Sequence, residues 1–193
     1  MPAPGGSIQP DMKEVELRTG LLSTAAVVLF AAAALAGGGR LLPFAPLEDA
    51  KAGDGAKYKL EILDAGGRVV STSEKRWDVD AHEDGIVKVG KVELSDQADA
   101  AEIIGALRLL PPGTPLDGLT VKTEKVAVPK SKDKADGVHA SLRAKLQGGA
   151  TEVVFDAWFV KGIPPFALVR ARTKIVGGGA GESAYEIVDW RKP

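Results

Sequence analysis

The sequence predicts a mainly β domain, a curved antiparallel sheet or half-barrel of about nine strands with one covering helix, preceded by an N-terminal hydrophobic helix. Three observations lead there. Apolar and polar residues alternate with a period of two through most of residues 56–193, the mark of half-buried strands. Short Gly-, Asp- and Pro-containing turns separate these runs, and short connections join antiparallel neighbours, because parallel pairs need crossovers of roughly a dozen residues. Only one stretch of this region keeps helical spacing.

Taken in order, Tyr58, Leu60 and Ile62 alternate with Lys57, Lys59 and Glu61, which predicts a first strand. Asp64-Ala-Gly-Gly67 is a turn signal, and Arg68–Ser73 returns as the second arm of a hairpin. Trp77 and Val79 mark a further strand, closed by a turn at His82-Glu-Asp-Gly85. Val87 and Val89 have one parity and Val92 and Leu94 the other, which places a β-bulge at Gly90. Ser95–Leu110 changes rhythm: Ala100, Ile103, Leu107 and Leu110 recur at helical spacing. Ser95 stands where a cap belongs, and Asp96, Asp99 and Glu102 are acidic where a helix N-terminus favours negative charge. Pro111-Pro112 ends that helix.

Leu119 and Val121 then differ in phase from Val126 and Val128, which predicts a second bulge or bend. Pro129–Gly137 is a charged loop. Val138, Ala140, Leu142, Ala144 and Leu146 alternate without a fault against polar neighbours. Thr151–Val160 is apolar on both faces, and after Pro164-Pro165 the chain resumes through Phe166–Val176. Gly177–Gly181 turns again, and Ala184–Trp190 closes the domain. Trp158, Val160, Leu168 and Trp190 indicate a second apolar face around these last strands.

Ahead of the domain lies Leu21–Leu42, in which the 19 residues Leu21–Gly39 carry no charge. A bilayer core needs roughly 20 apolar residues in a helix. The segment reads as a transmembrane anchor, or as a leader cleaved after Ala36, where Ala34-Leu-Ala36 provides the small residues a cleavage site requires. Met12 as the true start would leave a compact leader. Lys13 and Arg18 precede the segment and Arg40 alone follows it, which favours an inward N-terminus. The expected organisation is an arm at 1–19, an anchor or signal segment at 20–42, a linker at 43–55 and a β-rich extracytoplasmic domain at 56–193.

Composition removes several classes of function. Formal net charge is −1 with 26% charged residues, a balanced surface that does not suit nucleic acid. There is no cysteine, which excludes disulfides, thiol catalysis, thiolate metal sites and an acylated lipoprotein anchor. With two histidines in the chain, there is little material for a His-based dyad or triad, and no enzymatic activity is expected. Asp80, His82, Glu83 and Asp84 share one turn, where carboxylates can gather a cation, but their spacing fits no EF-hand and a solvated hairpin tip accounts for them. His139 lies on the polar face of its strand. Lys125, Lys130, Lys132 and Lys134 form a basic loop diluted by Asp133 and Asp136. Neither Gly37–Gly39 nor Gly177–Gly181 sits at the strand-to-helix turn of a phosphate loop. No cofactor or metal is expected.

Phe155, Trp158, Phe159, Phe166 and Trp190 bring five of the ten aromatics into the C-terminal third. They read as core or, in the sharper reading, as an apolar groove for an acyl chain or a partner segment. The runs Asp156–Lys161, Ile163–Val169 and Tyr185–Trp190 resemble the ending of uncharacterised bacterial periplasmic domains, similar to the lipoprotein-carrier half-barrel group. The resemblance spans about 35 residues. It implies a curved sheet around a helix, with an acyl chain in the concave side in some members.

The expectation for function is therefore a non-enzymatic, membrane-anchored extracytoplasmic domain serving as an accessory or scaffold component of a cell-envelope assembly. The alternative is a lipid- or amphiphile-binding module using the concave face of the sheet. The membrane through residues 21–42 and an envelope protein or a lipid are the expected partners, and nucleic acid is not. The main domain would lie on the periplasmic side, or be secreted if the leader is removed.

Overall fold

The computed structural model describes residues 40–146, 149–177 and 181–192. The expected anchor or signal segment lies outside the described residues up to position 39, as does the arm before it. Among the described residues no helix is long and apolar enough to cross a membrane.

Nine strands are described: β1 (Gly55–Leu63), β2 (Val69–Glu83), β3 (Ile86–Val89), β4 (Val92–Ser95), β5 (Thr120–Val126), β6 (Ala135–Lys145), β7 (Glu152–Phe159), β8 (Leu168–Val176) and β9 (Gly181–Arg191). They form one sheet in the order β4-β3-β2-β1-β9-β8-β7-β6-β5, every pairing antiparallel. The sheet is open, with the short β4 and the charged β5 at its edges. Helix α1 (Ala100–Ala106) joins the two halves of the chain and contributes Ala100, Ile103 and Ile104 to the core. The mainly β architecture with one covering helix is thus the one the alternation predicts.

Register assigns two faces, because residues directly opposed across a ladder share a side. The inner face of β6 and β7 carries Val138, Ala140, Leu142, Phe155, Ala157 and Phe159, all buried. On the outer face one row runs Lys122, His139, Trp158, Arg170, Glu186, Lys59 and Glu74 across six of the strands and onto β2. Fully burying one Phe or Leu stabilises by about 1.5–3 kcal/mol, so the inner face is where the fold gets its stability. Packing on the other side of β6 dictates a glycine at Gly137, which has the parity of His139. A Cβ on Gly137 would fall 2.6 Å from Val126 Cγ2 and 2.8 Å from the Phe159 carbonyl.

Several local expectations are corrected. Residues 43–55 are not a linker. Leu47 is wholly buried, Ala45 and Ala50 nearly so, and Leu42 just before them is also at 0% exposure. The segment is tied to β2 through Gly53 N–H to the Val79 carbonyl at 2.9 Å and Val79 N–H to the Asp54 carbonyl at 2.8 Å. Its prolines break regular structure without preventing burial, which is why composition alone suggested a spacer.

The helix is shorter than Ser95–Leu110. Ser95 ends β4, paired with Ile86, and Asp99 caps instead. Asp99 is extended at φ −102°, ψ 178°, and forms a capping box with Glu102. Its carboxylate also accepts the N–H groups of Leu41 and Leu42, at 2.5 and 3.0 Å, so one side chain fastens the entering chain to the helix start. Leu107 closes the helix and Arg108 turns left-handed at φ 53°, before the prolines are reached.

Gly90 is a hairpin turn rather than a bulge. At φ 60° it occupies the first position of a two-residue connection between β3 and β4, where a type II′ turn asks for glycine. Asp84 and Gly85, both with positive φ, make the other tight turn, between β2 and β3. The bend expected between Val121 and Val126 is absent, since β5 pairs with β6 in unbroken register. Val121 is simply exposed on an edge strand, at 38%. The two runs Arg68–Ser73 and Trp77–Asp80 are one 15-residue strand, because Glu74, Lys75 and Arg76 between them pair with β1.

Candidate functional site

The five aromatics expected to line a groove do not share one. Phe155, Phe159 and Phe166 have 0% exposure and belong to the packed core. Trp158 follows Phe155 by three positions, so alternation sends it to the outer face. There it lies flat against His139, with ring centroids 4.5 Å apart and planes 2° from parallel, and Arg170 covers its other side at 4.0 Å. Its indole N–H donates to Glu124 Oε1 at 2.6 Å. That bond, with Lys122 behind it, holds the Glu124 carboxyl below the usual carboxylate range. Trp190 is half-buried and donates from Nε1 to the Pro129 carbonyl at 3.3 Å.

Of the second apolar face expected around Trp158, Val160, Leu168 and Trp190, Val160 and Leu168 are buried in the core, and Trp158 is covered by two polar side chains. His139 is also less solvated than expected. Its side chain is 13% exposed, with Nε2 2.7 Å from Asp156 Oδ1 and Nδ1 3.8 Å from Glu124 Oε2. Thr120 and Ser141 hydrogen-bond each other beside it, at 3.1 Å between hydroxyls.

His82 is engaged elsewhere, with Nδ1 2.9 Å from the Ala50 carbonyl and Nε2 3.5 Å from Asp96 Oδ2. Asp80 accepts the Gly90 N–H at 2.7 Å, and Asp84 sits in the tight turn. The four do not share one turn: Asp80, His82 and Glu83 belong to β2, and with Ala50–Ala52 they border an open depression, while Asp84 alone sits in the turn. Among the described residues no three His, Cys, Asp or Glu side chains gather as a metal site. In the basic loop, Lys130 pairs with Asp189 and Lys125 with Asp136, while Lys132 and Lys134 are exposed. Lys130 also holds the Asp189 carboxyl below its ordinary value.

A different constellation forms on the inner face, where β2, β1 and β9 lie side by side. Trp77, Tyr58 and Tyr185 all point inward by register. Tyr58 and Tyr185 stack at 4.6 Å and 16°, and Trp77 meets Phe166 edge-on at 5.7 Å and 83°. Trp77 Nε1–H donates to Tyr185 Oη at 2.5 Å, and Tyr58 Oη–H donates to the Leu168 carbonyl at 2.9 Å. Burial pushes both phenols up, Tyr185 to about 12, so both are neutral hydrogen-bonding groups.

Lys75 lies over the open side of this cluster, its Nζ 3.9 Å from the Trp77 ring centroid. Burial, with Arg108 second, holds its ammonium below the ordinary lysine value. Toward the hairpin end the same face opens to solvent, with Leu60 half-buried and Ile62 45% exposed. Sequence reasoning missed this cluster. The matching inward parity of Tyr58, Trp77 and Tyr185 was readable in their own strands, but which strands are neighbours was not.

No family model matches the sequence, and no curated protein matches it. Among solved structures, one that is similar is a candidate exported protein with a YmcC-like fold from Bacteroides fragilis. It is 13% identical, with 74% of this chain and 97% of that chain covered and a TM-score of 0.38. At that score the likeness carries no inference about activity, ligand or location.

Proposed function

We propose that this chain is a non-enzymatic extracytoplasmic binding domain, held at a membrane through the uncharged residues 21–39 and serving as an accessory component of a cell-envelope assembly. One observation carries the reading. The β1–β2 hairpin runs past the packed core and offers Ile62, Val69 and Val70 at 45%, 50% and 62% exposure, a run of apolar side chains on one projecting element. Exposed apolar side chains grouped on one element mark contact surfaces more often than single exposed residues do. The uncharged stretch before Arg40 and the resemblance of the C-terminal third to periplasmic domains support this location.

The test has two parts. External protease added to cells with a permeabilised outer layer should digest the domain while cytoplasmic markers survive, and protection of the domain would overturn the location. A photo-crosslinking residue at Val70 should give a discrete adduct in the membrane fraction that the same residue at outer-face Lys174 does not. Identical patterns would overturn the docking role.

A second reading, an amphiphile-binding module, is favoured by the open inner strip beside Trp77 and Tyr185. The core fills the inner face over β6–β8 and leaves Leu60 half-buried and Ile62 exposed. Native mass spectrometry of the full chain taken from membranes should then retain a lipid-sized adduct.

A further inference from the structure

β2 runs on past one of the two strands that flank it. On one side β1 pairs along Val69–Asp78, while on the other β3 pairs only from Val79 onward. The stretch Val69–Asp78 therefore has a second edge with no strand beside it among the described residues, and its residues are exposed as far as Arg76. One pair of hydrogen bonds tells which backbone groups lie on that edge. Val79 turns both its N–H and its carbonyl toward the β1 side, to Asp54 and Gly53 at 2.8 and 2.9 Å. Consecutive residues of a strand present these groups to opposite edges. Register is unbroken from Asp78 to Ser71, so Trp77, Lys75 and Ser73 bond to β1, and Thr72, Glu74 and Arg76 hold their N–H and C=O groups out on the free edge. Donors and acceptors repeating at every second residue are the template on which an added strand forms its ladder.

This edge differs from those at the two ends of the sheet. β4 is 4 residues long, and β5 carries Lys122, Glu124 and Lys125 within 7 residues. Short and charged edges discourage pairing. On β2 the run Val69–Ser73 has no charge, and its valines and threonine favour extended structure. Where charge does enter, it is incompletely matched. Lys57 pairs with Glu74 at 2.7 Å, Lys59 with Glu61 at 2.5 Å, Arg68 with Asp64 at 3.1 Å and Arg76 with Asp78 at 2.8 Å. Lys75, the remaining cation of the hairpin, has no carboxylate within 4.0 Å among the described residues. It points inward, opposite Tyr58, and its Nζ rests over the Trp77 ring.

We propose that the partner docks by adding an extended strand to the free edge of β2 beside Thr72–Arg76, with an acidic side chain set against Lys75. The proposal rests on the docking role of the hairpin and names how the partner is held. Backbone hydrogen bonds to Thr72, Glu74 and Arg76 supply the affinity. The carboxylate against Lys75 fixes the register, because a slip of one residue sends it to the other face. Val69 and Val70 meet the strand where the bulge at the hairpin end interrupts the ladder.

The experiment uses the full chain in nanodiscs of zwitterionic lipid and a dye-labelled, capped peptide of alternating valine and threonine with one central glutamate, read by fluorescence anisotropy. One counterpart has lysine for the glutamate, and another has N-methylated backbone nitrogens. The glutamate peptide should bind about fivefold more tightly than the lysine peptide, the scale of an exposed ion pair. N-methylation should abolish binding. Lys75→Gln should remove the preference and keep the binding, and a preference that survives it would overturn the role of Lys75. Thr72→Pro deletes an edge-facing N–H and no bond to β1, so the variant should fold and lose the peptide. The N-methylated peptide asks the same question without altering the protein. Binding that survives both changes would overturn the added strand. A full chain that is dimeric in native mass spectrometry, and monomeric with Thr72→Pro, would assign the edge to a second copy and overturn the partner strand. The photo-crosslinking residue at Val70 separates this proposal from the docking role. A discrete adduct with no peptide binding would overturn the added strand and leave the docking role, whereas no adduct would overturn the docking role itself.

Discussion

One face of one sheet behaves in two ways. Over β6, β7 and β8 the inner face is closed and packed. Phe155, Phe159, Leu168, Ile103 and Ile104 have no more than 1% exposure. Over the hairpin end of β1 and β2 the same face is open, with Ile62 at 45% and Ser71 and Ser73 exposed. The aromatic group of Trp77, Tyr58 and Tyr185 lies on the border. The difference teaches that burial here follows the reach of the covering segment, since Thr173 Oγ1 already donates to the Leu109 carbonyl where that segment crosses β8. Strand pattern alone does not separate the two zones. One zone supplies stability and the other is left open to solvent.

The sharpest way to break this comparison is a matched pair of truncations. Phe159→Ala in the closed zone should cost about 3–5 kcal/mol in denaturant unfolding, because it leaves a cavity in a packed interior. Ile62→Ser in the open zone, the smallest effect expected here, should stay within about 0.5 kcal/mol. Comparable costs would mean that the two zones are equally packed.

Alkaline pH probes the border. The folded Tyr185 value is raised to about 12 from an ordinary 10.0, by burial first, with the Trp77 bond opposing. The stability this contributes is complete below the unfolded value and is lost as pH rises from 10 through 12. The full loss is about 2–3 kcal/mol, with Tyr58 adding in the same direction. Unfolding free energies measured from pH 9 to 12 should fall accordingly, and Tyr185→Phe should flatten part of the fall. An unchanged slope in that variant would remove Tyr185 from the buried side of the border.

A smaller effect tests what fastens the cover. Asp99→Ala removes the helix cap and the acceptor for the Leu41 and Leu42 N–H groups, and should cost about 1–2 kcal/mol. Amide exchange should accelerate at Leu41, Leu42 and the first turn of α1, while β1 and β2 at the hairpin end keep their rates. A uniform change across the domain would show that the cover and the sheet unfold together.

Much of this fold was legible because period-two alternation is a local property. The strand of Val138–Ala144 was read without error, since each side chain there meets a simple inside or outside. The sequence was misread where one residue serves two masters. Gly90 supplies positive φ to a tight turn, which in a string of letters looks the same as a bulge. Leu42 and Leu47 lie among prolines, and only the neighbouring elements reveal that they are core. Of the expected groove residues, Trp158 had its face assigned by alternation, but its cover of His139 and Arg170 depends on which strands flank β7. The inward placement of Lys75 over Trp77 shows only when β1 and β2 are laid side by side.

By itself the sequence determined the class of the domain, the alternating strands, the one helical stretch and the uncharged segment ahead of Arg40, because each follows from the spacing of residues close together in the chain. The tertiary structure decided the strand order, the burial of Leu42, Ala45, Leu47 and Ala50, the cap at Asp99, the sandwiching of Trp158 and the stacking of Tyr58 on Tyr185. Those outcomes depend on contacts between residues far apart in sequence, such as Tyr58 with Leu168, and no local pattern encodes which distant partner a side chain will find.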